Sequence, residues 1–383
     1  MEGKGSMPDQ AIWKLDAKTG ALIWTYKFNS GNSDALETVA FAPDGSLYVG
    51  GFTGSPIPAN ELKFKSAGQV MEGIPFVGKI SAADANGSTA PAGYEWQKSF
   101  TGDGYMGSTK ALRVEPNSGN VIGIAGSRAA LLMISPAGDV LLKSGELEPN
   151  FQASDLEITP DGGLMLAGLR YKPEIAATML KVGPDGKKEW MKSYGNYGGG
   201  INQFAGLPKG APGQGVIDEC WGITPTLDAY GEVDGYAIAC GTGIETPQQA
   251  KGDPRLDWRS LVIAFDLDGN RKWSRMDSYQ NDQSEEKLPA ASSAAEYIFP
   301  MTGGRLGIVT DDANGMGFEV LKAPDGQQCP TPVHWAQAKA QVSSTTKSTF
   351  SREKKLSALY KASMLSQKAS QKSLKSLVDS SLY

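Results

Sequence analysis

Residues 12–28 read IWKLDAKTGALIWTYKF, and residues 38–54 read TVAFAPDGSLYVGGFTG. In the first, two apolar runs flank Thr19-Gly20; in the second, two more flank Pro43-Asp44-Gly45. Runs of β-branched and aromatic residues around such dipeptides are hairpin signals. A polar stretch, NSGNSDALE, separates the two hairpins. Four strands in about forty residues is the spacing of a propeller blade.

The pattern recurs along the chain. The hairpin around PDG (strands A and B) returns as Asp155–Gly168, DLEITPDGGLMLAG. It returns with a longer turn at Cys220–Gly241, more loosely at Leu112–Gly126, and at Glu296–Thr310, where Thr310 replaces the closing glycine. The other hairpin (strands C and D) returns as MLKVGPDGKKEW, ending at Trp190, and as AFDLDGNRKW, ending at Trp273. Both place Trp four residues after the turn glycine, as Gly20 and Trp24 do; Leu142 and Trp96 stand at the matching place elsewhere. The order is then C-D, four sets of A-B-C-D, and a final A-B-C ending in GFEVLKA at 317–323. The expected fold is all-β, a β-propeller of five or six four-stranded blades over 11–325. The last A-B-C would borrow Ala21–Phe28 as its fourth strand, or strands upstream would complete a further blade. Residues 326–351 read as a linker and 352–383 as a basic Ser/Lys-rich tail, disordered or partly helical.

A large side chain at a fixed repeat position packs between blades, which is the reading for the strand-D tryptophans. The repeated Gly51, Gly126, Gly168 and Gly241 imply close backbone approach. LDAKTGALIW resembles the repeat of quinoprotein-type (PQQ-like) propellers. PDGGLMLAG with KVGPDGKKEW is similar to the bacterial β-propeller repeats abbreviated SBBP. The resemblance covers roughly 11–325 and implies the architecture. Such families include dehydrogenases, assembly scaffolds and secreted proteins. The quinoprotein enzymes carry a pair of adjacent cysteines, which this chain lacks.

The totals narrow the function. The chain has 383 residues, 40% of them apolar, enough for a sizeable core. From Ala336 onward there are 9 Lys and Arg against 2 Asp and Glu, so residues 1–335 keep 37 − 9 = 28 basic against 42 − 2 = 40 acidic residues, a net −12. An acidic body argues against nucleic-acid binding. The single histidine, His334, lies beyond the repeats, which argues against Ser-His-Asp or Cys-His chemistry within them. Cys220, Cys240 and Cys329 fit no zinc spacing. No apolar run reaches the length of a membrane-spanning helix.

Strand alternation puts A-B and C-D turns at one face and B-C and D-A connections at the other. Nearly all the long connections, 55–74, 195–216, 244–259 and 277–292, fall on the second face, where function is expected; 82–93 and 226–234 are the exceptions. Tyr105, Tyr197, Phe204, Trp258 and Tyr279 lie there, suited to stacking on a sugar or peptide, or to folding back as a lid. Glu37, Asp155, Asp218, Glu219 and Glu296 cluster where strand A begins. Those carboxylates would suit Ca²⁺, or would accept backbone N–H bonds at strand starts. Asp266-Leu-Asp268-Gly reads as a hairpin turn, although it looks like a fragment of a calcium loop.

In the aligned hairpin Cys220 and Cys240 face each other across strands A and B, within disulfide reach. A Cys220–Cys240 disulfide is therefore expected, and with it an oxidising compartment. Asn86-Gly87-Ser88 matches the N-glycosylation sequon. The first ten residues resemble the loop before a strand, so a start further upstream, with a secretion signal, is expected. The tail spaces Leu356, Leu359, Tyr360, Leu374, Leu377 and Val378 between lysines, a pattern for contact with an anionic surface or a partner groove. The function expected is non-enzymatic: a secreted propeller binding a glycan or a protein on the long-loop face, with no cofactor unless Ca²⁺. The alternatives are a quinone-dependent or carboxylate-based enzyme, and an intracellular scaffold acting through the tail.

Overall fold

The computed structural model describes residues 10–322 except 32, 56–72, 103–104, 106, 127–128, 172–174, 195–216, 229, 244–257, 278–292 and 313–314. The linker and tail from 323 onward therefore lie outside the described residues. What is described is nearly all β, with 21 strands and one short helix. No helix among the described residues is long and apolar enough to cross a membrane.

The strands form antiparallel sheets in chain order. β1 (Gln10–Leu15) pairs with β2 (Leu22–Phe28) in a two-stranded sheet. β3 (Ser33–Phe41), β4 (Leu47–Ser55), β5 (Ile74–Ile80) and β6 (Trp96–Ser99) form the first four-stranded sheet, with helix α1 (Ala82–Asn86) between β5 and β6. β7 (Thr109–Val114), β8 (Val121–Ala125), β9 (Ala130–Ile134) and β10 (Val140–Glu146) form the next. β11 (Phe151–Ile158), β12 (Leu164–Arg170), β13 (Ala176–Val182) and β14 (Lys188–Tyr194) follow, then β15 (Ile217–Leu227), β16 (Val233–Gly243), β17 (Arg259–Phe265) and β18 (Arg271–Asp277). β19 (Ser293–Met301), β20 (Arg305–Asp312) and β21 (Gly315–Lys322) make a three-stranded sheet. These are the four A-B-C-D sets of the repeat, flanked by C-D and A-B-C.

β2 pairs with β1, the hairpin read around Thr19-Gly20, and among the described residues β21 pairs with β20. The short Thr19-Gly20 turn closes the β1–β2 hairpin from Leu15↔Leu22 to Gln10↔Phe28. A local closure of that kind costs less chain entropy than recruiting a strand across the sequence.

Turn chemistry follows the sequence. The Asp16 carboxylate accepts from the Lys18 and Thr19 amides at 3.1 and 2.7 Å, and Gly20 takes φ +74° to complete the turn. Asp266 serves its own hairpin, accepting from the Asn270 amide at 2.7 Å, as a turn residue does. Contacts divide the chain into two compact units. The first holds β1 to β12 with Leu180–Met191, and the second holds β15 to β21 with Asp16–Ala21, Pro173–Met179 and the end of β14. Within the first, Trp96 lies 5.8 Å from the Tyr48 ring, and its Nε1 donates to the Pro136 carbonyl at 3.1 Å. Within the second, Trp273 packs on a core that includes Ala264, Ile298 and Leu306. Both are the between-sheet packing read from the repeat.

Three of the four repeated glycines are close approaches, and the fourth, Gly126, takes φ +82°. A Cβ on Gly51 would fall 1.9 Å from the Ala35 carbonyl oxygen, and one on Gly168 would fall 1.9 Å from that of Gln152. At Gly241 it would meet the Trp258 ring at 2.4 Å.

Candidate ligand-binding end of the sheets

The A-B and C-D turns are short except for 81–95 between β5 and β6, which holds α1, whereas 56–73, 195–216, 244–258 and 278–292 connect strands at the opposite end. A second feature sits toward that end. The first strand of every sheet from β3 onward carries a bulge: Leu36/Thr38, Thr109/Ala111, Ala153/Asp155, Cys220/Gly222 and Ala295/Tyr297. The residues skipped by the pairing are Glu37, Lys110, Ser154, Trp221 and Glu296. All five are exposed or half-buried. A bulge leaves one residue unpaired and re-aims its side chain, which is why bulges gather beside functional sites.

In the first unit these positions form a charged seam. Lys110 forms an ion pair with Glu37. Three residues further along β7, Arg113 reaches Asp155 at 3.0 Å and Glu157 at 2.9 Å. Burial pushes the Glu157 carboxyl up, and the Arg113 guanidinium opposes that shift. In the second unit the bulge residues are Trp221 and Glu296. Trp221 meets Trp258 edge-on at 6.1 Å between ring centres. Glu296 is pushed up to about 7, first by burial and then by the neighbouring charge of Asp311 on β20. Such a carboxyl exchanges its proton near neutrality. Asp218, two residues before the Cys220 pairing, is buried and accepts from the Thr242 hydroxyl.

The expected sites are placed as follows. Tyr105 is 4% exposed; its hydroxyl lies 3.0 Å from the Leu131 carbonyl oxygen and 2.5 Å from that of Ser144, with Lys143 over its ring. Trp258 is 5% exposed, enclosed beside Gly241 and Trp221. Both rings are enclosed by the chain itself. Tyr197, Phe204 and Tyr279 lie outside the described residues.

Of the carboxylates read as a Ca²⁺ set, Glu37, Asp155 and Asp218 each have a partner of their own. Among the described residues no three acidic, His or Cys side chains converge on a metal position. Asn86 is exposed at the end of α1, its amide donating to the Ala82 carbonyl at 2.8 Å. Cys220 and Cys240 are joined by a disulfide across directly paired positions of β15 and β16, as expected. Sequence reasoning missed Lys110, Ser154 and Trp221, because a bulge breaks the two-residue alternation that reads strand faces.

No protein-family model matches the chain, and no curated protein matches it in sequence. Similar solved structures exist. A Bacteroides caccae protein of unknown function is 13% identical, with TM-score 0.45, over 85% of this chain and 90% of its own. A Lactobacillus plantarum protein is 12% identical, with TM-score 0.43, over 83% and 80%. Hydrazine synthase of Kuenenia stuttgartiensis is 12% identical, with TM-score 0.43, over 77% and 69%.

Proposed function

We propose that the chain is a non-enzymatic β-propeller of five or six blades that binds a glycan or a protein at the end from which its long connections leave. In this reading the bulge residues of β3, β7 and β11 in the first unit, and those of β15 and β19 in the second, are each candidates for ligand contact. The observation that carries the proposal is the bulge itself, repeated in the first strand of five sheets with different side chains: two carboxylates, a lysine, a serine and a tryptophan. A purely structural bulge needs no such variety, whereas a surface reading a shaped polar ligand does. Trp221 supplies an aromatic face and the others supply hydrogen bonds and charge. The buried disulfide supports a secreted setting.

A second reading rests on Glu296. A carboxyl pushed up to about 7 can donate a proton at neutral pH. On this reading the chain is a carboxylate-based glycan hydrolase or lyase.

The test is a thermal-shift screen with Ca²⁺, Ca²⁺ plus pyrroloquinoline quinone, and neutral and acidic oligosaccharides. A ligand at 100 times its dissociation constant adds about 2.7 kcal/mol of stability. Stabilisation by an intact oligosaccharide, lost in Trp221→Ala, supports the proposal. Cleavage of the oligosaccharide, abolished by Glu296→Gln, replaces it with the enzyme reading. Stabilisation that needs the quinone overturns both.

A further inference from the structure

The β15–β16 hairpin runs on past the rest of its sheet. β16 pairs with β17 from Tyr236 to Thr242, whereas β15 and β16 stay paired as far as Leu227↔Val233. The projecting part is firmly held. The Thr226 hydroxyl donates to the Asp234 carboxylate at 2.6 Å, and Lys272 of β18 forms an ion pair with the same carboxylate at 2.6 Å. At the tip the Asp228 carboxylate accepts from the Tyr230 and Glu232 amides at 2.8 and 3.0 Å. The Asp228 carbonyl accepts from the Gly231 amide at 3.1 Å, and Gly231 takes φ +87°. An Asp and a Gly in these places shape the turn by themselves, so the Tyr230 ring has no part in building it.

The ring is left outside. Tyr230 is 91% exposed, and its hydroxyl has no hydrogen-bond partner among the described residues. No other described tyrosine is more than 44% exposed. Tyr48, Tyr105, Tyr194 and Tyr236 are buried, the Tyr171 hydroxyl bonds Gln152, and the Tyr297 ring lies on Phe299. The charge around Tyr230 has one sign. Asp228, Glu232 and Asp234 flank it in sequence, and no Lys or Arg occurs from Ile217 to Gly243. A transferase must close its cleft round the acceptor oxygen and hold it in line with the donor, which a projecting, preorganised tip allows without unfolding. Carboxylates beside the acceptor give a basic cleft its hold.

We propose that Tyr230 is a modification site, its phenolic oxygen accepting a tetrahedral anionic group, phosphoryl or sulfuryl, from a transferase with a basic substrate cleft. The phenolic oxygen attacks the terminal phosphorus or sulfur of a nucleotide-linked donor. The new O–P or O–S bond forms as the bond from that atom to the nucleotide oxygen breaks. The nucleotide leaves with the electron pair, and the phenolic proton passes to a base of the transferase. Nothing is oxidised or reduced. The tip gains negative charge and strong acceptor oxygens beside its carboxylates, which suits it to a basic partner surface.

Peptide mapping by accurate mass, on the full chain isolated from the cells that make it, tests the proposal and separates phosphoryl from sulfuryl. The expected result is one added group, on the peptide that carries Tyr230. A second arm treats the purified full chain with a tyrosine kinase and MgATP, and in parallel with a tyrosine sulfotransferase and phosphoadenylyl sulfate. Transfer should load a single group, be abolished in Tyr230→Phe and be about tenfold slower in Glu232→Lys. Both substitutions fall at exposed positions and leave the fold intact. The proposal is overturned by an isolated chain with Tyr230 unmodified, by loading that spreads to other tyrosines, or by an unchanged rate in Glu232→Lys.

Discussion

Removing the Cys220–Cys240 disulfide is expected to cost about 3 kcal/mol. The two cysteines are 20 residues apart and directly opposed on β15 and β16. Closing a loop of that length removes about 11 cal/mol/K of entropy from the unfolded chain, which is roughly 3 kcal/mol at 25 °C. Both residues are fully buried, so the cross-link ties together the hairpin on which Trp221 stands. The double variant Cys220→Ala/Cys240→Ala leaves Cys329 in place and avoids burying new polar atoms. Equilibrium urea unfolding, followed by tryptophan fluorescence, should show a lower midpoint at an unchanged slope. Wild-type protein unfolded with a thiol reductant should lose most of the same stability. A loss under about 1 kcal/mol in the variant, with no effect of reductant on the wild type, would refute the argument from chain entropy.

Leu156→Ala should cost about 2–5 kcal/mol by opening a cavity among Ala111, Ile122 and Leu166, whereas Val39→Ala should cost under about 1 kcal/mol; paired unfolding curves separate them. Gly168→Ala should destabilise by about 1–3 kcal/mol or more, because its Cβ would sit 1.9 Å from the Gln152 carbonyl oxygen and only backbone movement relieves it. Glu296 binds its proton more tightly folded than unfolded, since its folded value of about 7 lies above the ordinary 4.5. Its contribution is therefore full below about 4.5 and is lost as pH rises through about 7. Unfolding at pH 5 and pH 8 should show a smaller difference in Glu296→Gln than in the wild type.

The strands, their order and their turns were legible because each hairpin carries its own local signals: Thr19-Gly20, Pro43-Asp44-Gly45, Asp161-Gly162. The disulfide was legible for the same reason, since aligning one hairpin on another sets Cys220 against Cys240. The β1–β2 hairpin was legible in the same way, its Thr19-Gly20 turn setting the register from Gln10↔Phe28 to Leu15↔Leu22. The site was legible in part. Glu37 and Glu296 were picked out as acids at strand starts, but their shared property is the bulge, which also selects Lys110, Ser154 and Trp221. One extra residue in a strand leaves no compositional mark. Tyr105 and Trp258 were chosen as aromatic residues on long connections, and burial by their own chain is a tertiary fact that residue type does not carry.

The central claim is that a ligand sits against the bulge positions. Amide hydrogen exchange with and without the stabilising oligosaccharide tests it most directly. The account predicts slowed exchange at 36–38, 109–111, 153–155, 220–222 and 295–297, with the turns at 42–46, 159–163 and 266–270 unchanged. Protection confined to those turns, with the bulge segments unaffected, would contradict it.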